Sequence, residues 1–139
     1  MVDISAPSLA GLGLGERRDA IETQLGPSRS VLGVRRGHLD YGHLGVVIRL
    51  EAGGLVGFNV HVSASPGDPW DPYQGFWLPG HRQSPPELDE VRQLMGEPQH
   101  TDEDEDGLSL FWQRRALINV DFDPKGKLTD LWVDFDGSL

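Results

Sequence analysis

The chain contains no cysteine. That excludes disulfide cross-links and thiol nucleophiles, and it fits a reducing compartment. Long apolar runs are missing too: no window approaches the ~18 apolar residues that a membrane-spanning helix needs. The opening stretch has Asp3 where a signal peptide carries a basic n-region, and it has no sustained apolar h-region. A soluble cytoplasmic protein is the expectation. Basic charge is scarce, with 12 Lys and Arg against 22 Asp and Glu, a net −10. The imbalance is local. Residues 70–139 hold 15 acidic and six basic side chains, while residues 1–69 hold seven and six. Such a field repels nucleic acid and anionic membrane, and it steers a basic partner towards the second half.

Recognisable catalytic apparatus is also missing. There is no Gly-x-Ser-x-Gly elbow, no His-Glu-x-x-His helix and no phosphate-binding loop. Gly11, Gly13 and Gly15 follow no predicted strand and lack the dinucleotide spacing. His38-x-Asp40-x-x-His43 resembles a ligand set, but strand spacing puts the two imidazoles on opposite faces. Arg29, Arg35 and Arg36 flank that stretch in a loop and first strand over 28–45. His61 and His81 are isolated, His61 on the polar side of a strand. No catalytic residue, metal or cofactor is expected, and the sequence reads as a binding protein rather than an enzyme.

What is present is a helix followed by alternating strands, met most clearly in residues 84–139. Ser84 is a candidate N-cap, with Pro85 and Pro86 in the first helical positions and Glu87 at the capping-box spacing. Leu88, Val91, Leu94 and Met95 form one apolar stripe, and Gly96 and Pro98 end it. The period then changes to two. Leu108, Leu110 and Trp112 alternate, as do Ile118, Val120 and Phe122, then Leu131, Val133 and Phe135. Asp123 to Lys127 make a hairpin turn. About three antiparallel strands are predicted here.

A weaker copy lies about 70 residues earlier. Ile21 and Leu25, in a helix predicted over Glu16–Leu25, are followed by Gly26-Pro27; Val46, Ile48 and Leu50 alternate; Gly53-Gly54 turn into Val56, Phe58, Val60 and Val62. The expected fold is α+β, with two tandem helix-plus-antiparallel-meander units and both helices packed on one face of the sheet or sheets. The boundaries are a flexible N-terminus over 1–14, a first unit over 15–62, a junction over 63–83 and a second unit over 84–139.

The junction crowds four prolines and three glycines with Trp70, Tyr73, Phe76 and Trp77. Proline and glycine exclude long regular structure there, while the rings argue against a floppy linker. Two readings compete: the rings staple the units together, or some are displayed to a partner as anchors. The acidic stretch Asp102, Glu103, Asp104, Glu105 and Asp106 matches the first half of a calcium loop, but Gln113 stands where a bidentate Glu is required. A solvated helix–strand loop is expected, with a docking patch for a basic protein as the alternative. Trp132 alternates out of phase with Leu131 and Val133, which leaves it wet unless a helix or partner covers it. Trp112 is a second possible contact on the sheet.

A short helix ending in Leu-Gly-x-Pro and leading into strands with a glycine turn resembles the repeat of the beta-lactamase-inhibitor-protein fold and of the SmpA/OmlA outer-membrane assembly lipoproteins. The residues that carry the likeness are Ile21, Leu25, Gly26 and Pro27, then Val91, Met95, Gly96, Glu97 and Pro98, with Gly53-Gly54-Leu55 and Lys125 to Leu128 downstream. Pro72 to Phe76 is similar to a tract in presumed immunity proteins encoded beside bacterial polymorphic toxins. The chain has no lipobox cysteine and no disulfide, unlike the secreted members. The resemblance implies a tandem α+β module with a concave protein-binding face. The expected function is a non-enzymatic inhibitor, an immunity protein that occludes a cognate toxin with a basic surface, acting as a monomer or weak dimer without nucleic acid or membrane. Trp70, Tyr73, Trp77, Trp112, Trp132 and Asp102–Asp106 are the expected contacts. The alternative is a small-molecule or lipid-binding domain with an aromatic-lined pocket.

Overall fold

Alternating apolar residues need a surface to alternate against, and here that surface is one seven-stranded antiparallel sheet. A computed structural model describes residues 1–29 and 37–139; Arg35 and Arg36 lie outside the described residues. In chain order the elements are β1 (Val2–Asp3), β2 (Ser8–Leu9), α1 (Arg18–Leu25), β3 (His38–Tyr41), a 3-10 turn (Gly42–Leu44), β4 (Val46–Glu51), β5 (Gly54–His61) and β6 (Trp77–Leu78). They continue with α2 (Leu88–Met95), β7 (His100–Asp104), β8 (Gly107–Gln113), β9 (Leu117–Phe122) and β10 (Leu128–Asp134). The protein is mixed α and β, mostly sheet, with two α-helices among the described residues. The large sheet runs β3-β4-β5-β10-β9-β8-β7, and a small one runs β2-β1-β6.

Strand register turns the sequence alternation into two buried rows. Tyr41, Val46, Val60, Leu131, Val120 and Leu110 are successive cross-strand partners from β3 to β8. Beside them run Leu39, Ile48, Phe58, Val133, Ile118 and Trp112. All twelve are at most 5 % exposed. Burying each such side chain contributes roughly 1.5–3 kcal/mol, so these rows supply much of the folding drive. Ile21 of α1 and Val91 and Met95 of α2 belong to the same buried cluster. Two hydrogen bonds tie helix ends to the rows: the Tyr41 hydroxyl donates to Gly26 O at 2.8 Å, and the Trp112 indole N–H donates to Gly96 O at 3.1 Å.

Both helices end as their sequences require, at glycines with φ of 81° and 78°. Their beginnings differ from expectation. α2 starts at Leu88 rather than just after Ser84, with Glu87 as N-cap, and the Glu90 carboxylate accepts the Glu87 N–H at 3.3 Å. The reason is steric: Ser84 and Pro85 each precede a proline, which disfavours helical backbone. Ser84 instead accepts from Arg82 Nε through its carbonyl, at 3.1 Å. α1 likewise begins at Arg18, not Glu16.

Two larger corrections concern the ends of the sheets. Residues 101–104, expected to be part of an acidic loop, belong with His100 to the edge strand β7, giving four strands after α2 instead of about three. Every residue of β7 is exposed. A strand with neither face buried is held mainly by backbone pairing, so it has no period-two signature, and its carboxylates blunt an otherwise sticky edge. Residues 1–14, expected to be a flexible lead, instead contribute Val2, Ile4, Leu9 and Leu12 to the core. β1 pairs antiparallel with β2 and parallel with β6, so the junction's Trp77 lies opposite Val2.

The β7–β8 turn closes on Gly107, whose φ is +148° and where an added Cβ would sit 2.1 Å from Phe122 O. Gly67 has φ +93° with nothing within 4 Å. Gly107→Ala is expected to cost about 2–4 kcal/mol in urea unfolding, and Gly67→Ala about 1–2 kcal/mol, because only the first adds a backbone clash to the strain. Equal losses would show that the close approach to β9 does not matter.

Candidate functional site

Among the described residues, the other face of the large sheet carries no comparable apolar cover. Its central row, again read from register, is Asp40, Val47, Asn59, Trp132, Asn119, Phe111 and His100. On one side of it run His38, Arg49, Gly57, Asp134, Leu117 and Gln113. On the other run His61, Asp130, Asp121, Ser109 and Asp102. Trp132 stands at 50 % exposure in the middle. Gly57 lacks a side chain between Arg49 and Asp134, and a Cβ there would meet Val133 O at 2.7 Å. The space left open is part of a trough of about 340 Å³, walled by Trp132, Phe111, Val47 and Leu117. Asn59 and His38 also line it.

Most polar groups on this face are paired; among the described residues three buried side-chain atoms have no partner, Arg29 Nε beside Asp40 and two that line the trough. Arg49 bridges Asp134 and Asp136, its Nη2 lying 2.8 Å from Asp136 Oδ1. Burial pushes the Asp134 carboxyl up and its contact with Asp136 adds to that, whereas hydrogen bonds from Asp134 and Arg49 hold Asp136 at about 2. Burial alone would lower the Arg49 guanidinium, but the two carboxylates raise it. Ser109 Oγ donates to Asp121 Oδ1 at 2.6 Å, and Asn119 Nδ2 donates to the same oxygen at 3.1 Å. The two on the trough belong to Asn59 and His38. Asn59 is 4 % exposed and its Nδ2 donates to Leu131 O at 3.0 Å, but its Oδ1 is buried without a partner. His38 Nδ1 is likewise buried and unpartnered. An unmet buried acceptor costs about 1–3 kcal/mol, so such groups mark places where something is missing.

His61 is not the ordinary surface histidine expected from the sequence. It is 8 % exposed, its Nδ1 lies 2.8 Å from Asp130 Oδ1, and the Trp70 ring stacks on it at 3.9 Å. Trp132 approaches the same ring edge-on at 6.5 Å. The structure thus brings together two of the expected contacts, Trp70 and Trp132, through a histidine that sequence reasoning passed over.

The other expected contacts separate. Trp77 is 1 % exposed and Trp112 is fully buried, so neither can touch a partner. Trp112 shares the phase of Leu110, which points it into the core, and Trp77 is held in β6 with Tyr73 edge-on at 5.5 Å. Tyr73 is half-buried, donates to Phe76 O at 3.0 Å, and burial pushes its hydroxyl up to about 12. At Trp77 and Tyr73 the rings act as staples. Asp102–Asp106 are exposed at the β7 edge and its turn. Alternation puts Asp102 and Asp104 on the trough's face and Glu103 on the other. Asp102 and His61 end the same row, four strand spacings or about 19 Å apart.

Among the described residues no group of three His, Asp or Glu is placed to hold a metal ion. Asp40 is instead paired with Arg29 at 2.9 Å, and His43 falls in the 3-10 turn rather than on a strand face. No helix described is long and apolar enough to cross a membrane. No protein-family model, curated protein or solved structure matches the chain.

Two outcomes follow for this face. Trp112→Phe should cost about 2–3 kcal/mol, through the lost Gly96 bond and a cavity, while Trp132→Phe stays within about 0.5 kcal/mol. Equal costs in urea unfolding would contradict the assignment of the two rings to opposite faces. Asp40 supplies a pH test. Burial pushes its carboxyl up, but Arg29 and the Gly42 N–H outweigh this and hold it below the usual range. A lowered folded-state value means stability present above about pH 4 and lost as pH falls through the folded value. Asp40→Asn should therefore cost about 1–2 kcal/mol at pH 7 and make the fall in stability between pH 7 and pH 2 shallower. An unchanged slope would remove this pair from the acid response.

Proposed function

We propose that the chain is a non-enzymatic protein-binding inhibitor that uses the trough-bearing face, with a cognate toxin of basic surface as its partner. The observation that carries this is Trp132, an indole half in water at the centre of a sheet face that the described residues leave open except where Trp70 covers His61 at one end. Large amphipathic rings ringed by polar groups are where binding energy concentrates in interfaces. Carboxylates at Asp102, Asp104, Asp121 and Asp130 give the same face the sign that attracts a basic surface.

The architecture behind it reads as two tandem helix-plus-meander units, helices over the face that carries the buried rows. Equivalent positions support this. Ile21, Leu25 and Gly26 stand 70 residues before Val91, Met95 and Gly96; Leu39 and Tyr41 stand 71 before Leu110 and Trp112; Val46 and Ile48 stand 72 before Ile118 and Val120; Phe58 and Val60 stand 73 before Leu131 and Val133. A half-turn about the β5–β10 seam exchanges the two sets, and the helix-end bonds of Tyr41 and Trp112 exchange with them. Among the described residues β7 is matched by the single Arg29–Asp40 bridge, 71 residues before the His100–Phe111 pair.

A second reading has one observation in its favour: the trough volume falls within the range of small-ligand sites. Growth protection separates the two. Cells producing the toxin encoded beside this chain should survive when the chain is co-expressed and die when it carries Trp132→Ala. Survival with neither form would end the inhibitor reading. With purified partners, changing Asp102, Asp104 and Asp106 together to Asn should slow association about tenfold at low salt and flatten its salt dependence. An unchanged on-rate would take β7 out of the encounter.

A further inference from the structure

Resting on the protein-binding reading, we propose that the trough beside Trp132 is a recognition site for one arginine side chain of the partner. The guanidinium lies along the Trp132 indole and donates to Asn59 Oδ1.

Four features of the site select that group. The first is the unmet acceptor: Asn59 is almost wholly buried, its amide nitrogen is committed to Leu131 O, and its Oδ1 has no donor among the described residues. The ligand must therefore bring an N–H or O–H donor. His38 Nδ1, unpartnered on the same trough, asks for a second hydrogen-bonding group nearby. The second is shape. Trp132 and Phe111 flank Asn119 in the central row, and with Val47 and Leu117 they make flat, largely apolar walls. A planar group that is weakly hydrated fits between such walls; a compact, strongly hydrated ammonium does not.

The third is charge. Arg49 is the cation that lines the trough, and it is outnumbered by Asp134 and Asp136, both in contact with it. Asp130 lies two residues from Trp132 on β10, Asp121 lies two from Asn119 on β9, and Asp40 on β3 is matched by Arg29. The surroundings are net negative, which favours a cation and disfavours an anion. The fourth is access. Asn59 Oδ1 is sealed from water, and Trp132, directly opposite Asn59 in the register and half exposed, is the neighbour free to swing aside. Engagement therefore reorients the indole and is visible in its fluorescence.

The site can be tested without the toxin. The full-length chain is titrated with N-acetyl-arginine amide at fixed ionic strength, and the Asn59 side-chain amide and Trp132 indole N–H signals are followed by NMR. Saturable shifts of both are expected at millimolar concentration. The citrulline, lysine and norleucine analogues should bind at least about fivefold more weakly, as should arginine to Trp132→Leu, a surface change that leaves the fold intact. Asn59→Leu, if folded, should lose the selectivity for arginine over norleucine. No shift at Asn59 or Trp132, or equal binding by citrulline, lysine or norleucine, overturns the proposal. Growth protection and this titration fail independently: a chain that protects cells but ignores arginine keeps its inhibitor reading and loses this site.

Discussion

The pairing of β5 with β10 is the contact on which the rest depends. It sets Val60 against Leu131 and Phe58 against Val133, and so joins three strands on one side to four on the other. Without it each half would present a long hydrophobic edge, the arrangement most open to aggregation. With it, two rows of apolar side chains run unbroken from β3 to β8. The polar interactions of the opposite face cross the same seam. Asn59 donates to Leu131 O, His61 meets Asp130, and Arg49 reaches Asp134 over the gap left by Gly57. Trp132 is the direct partner of Asn59. The trough is thus a product of the join and belongs to neither half alone.

How much of this was readable beforehand depends on where each signal comes from. Strands with one buried face announced themselves, because alternation is a local record of a two-sided environment. Helix ends were equally plain, since Gly26 and Gly96 mark positive φ in the residues themselves. The phases of Trp112 and Trp132 already pointed them to opposite sides of the sheet, and grouping them as joint contacts set that phase information aside. What stayed hidden came from long-range pairing. β7 has no buried face to imprint a period, β1 and β2 are two residues each, and Trp77 is fixed by a partner 75 positions away at Val2. Asn59 reads as one more polar residue between Phe58 and Val60. Only the register places its amide beside Trp132 and leaves one oxygen unmatched.

The division of labour among the aromatic residues follows from the same geometry. Tyr41 and Trp112 keep their polar atoms for the carbonyls of Gly26 and Gly96, which ties the ends of α1 and α2 to the buried rows. Tyr73 and Trp77 lock the junction. Trp70, whose indole N–H donates to Ser63 O, covers His61 and so closes one end of the open face. Trp132 alone among the four tryptophans has half its surface in water. A ring so placed loses little folding stability when changed, which leaves its identity free to answer to binding.

The unmatched oxygen of Asn59 argues in the same direction. A valine or leucine at that position would suit a sheet interior and would remove a buried acceptor that costs stability wherever it goes unused. Position 59 lies between Val47 and Trp132, where such a side chain would have apolar neighbours. The bond from Nδ2 to Leu131 O is what the amide contributes to stability, and it leaves the oxygen unused. A group that is unfavourable in the free protein and favourable once a donor arrives is what distinguishes a binding site from a packing defect. The proximity of the acidic rows then decides which donors gain most, because a charged N–H profits from the field and a neutral one does not.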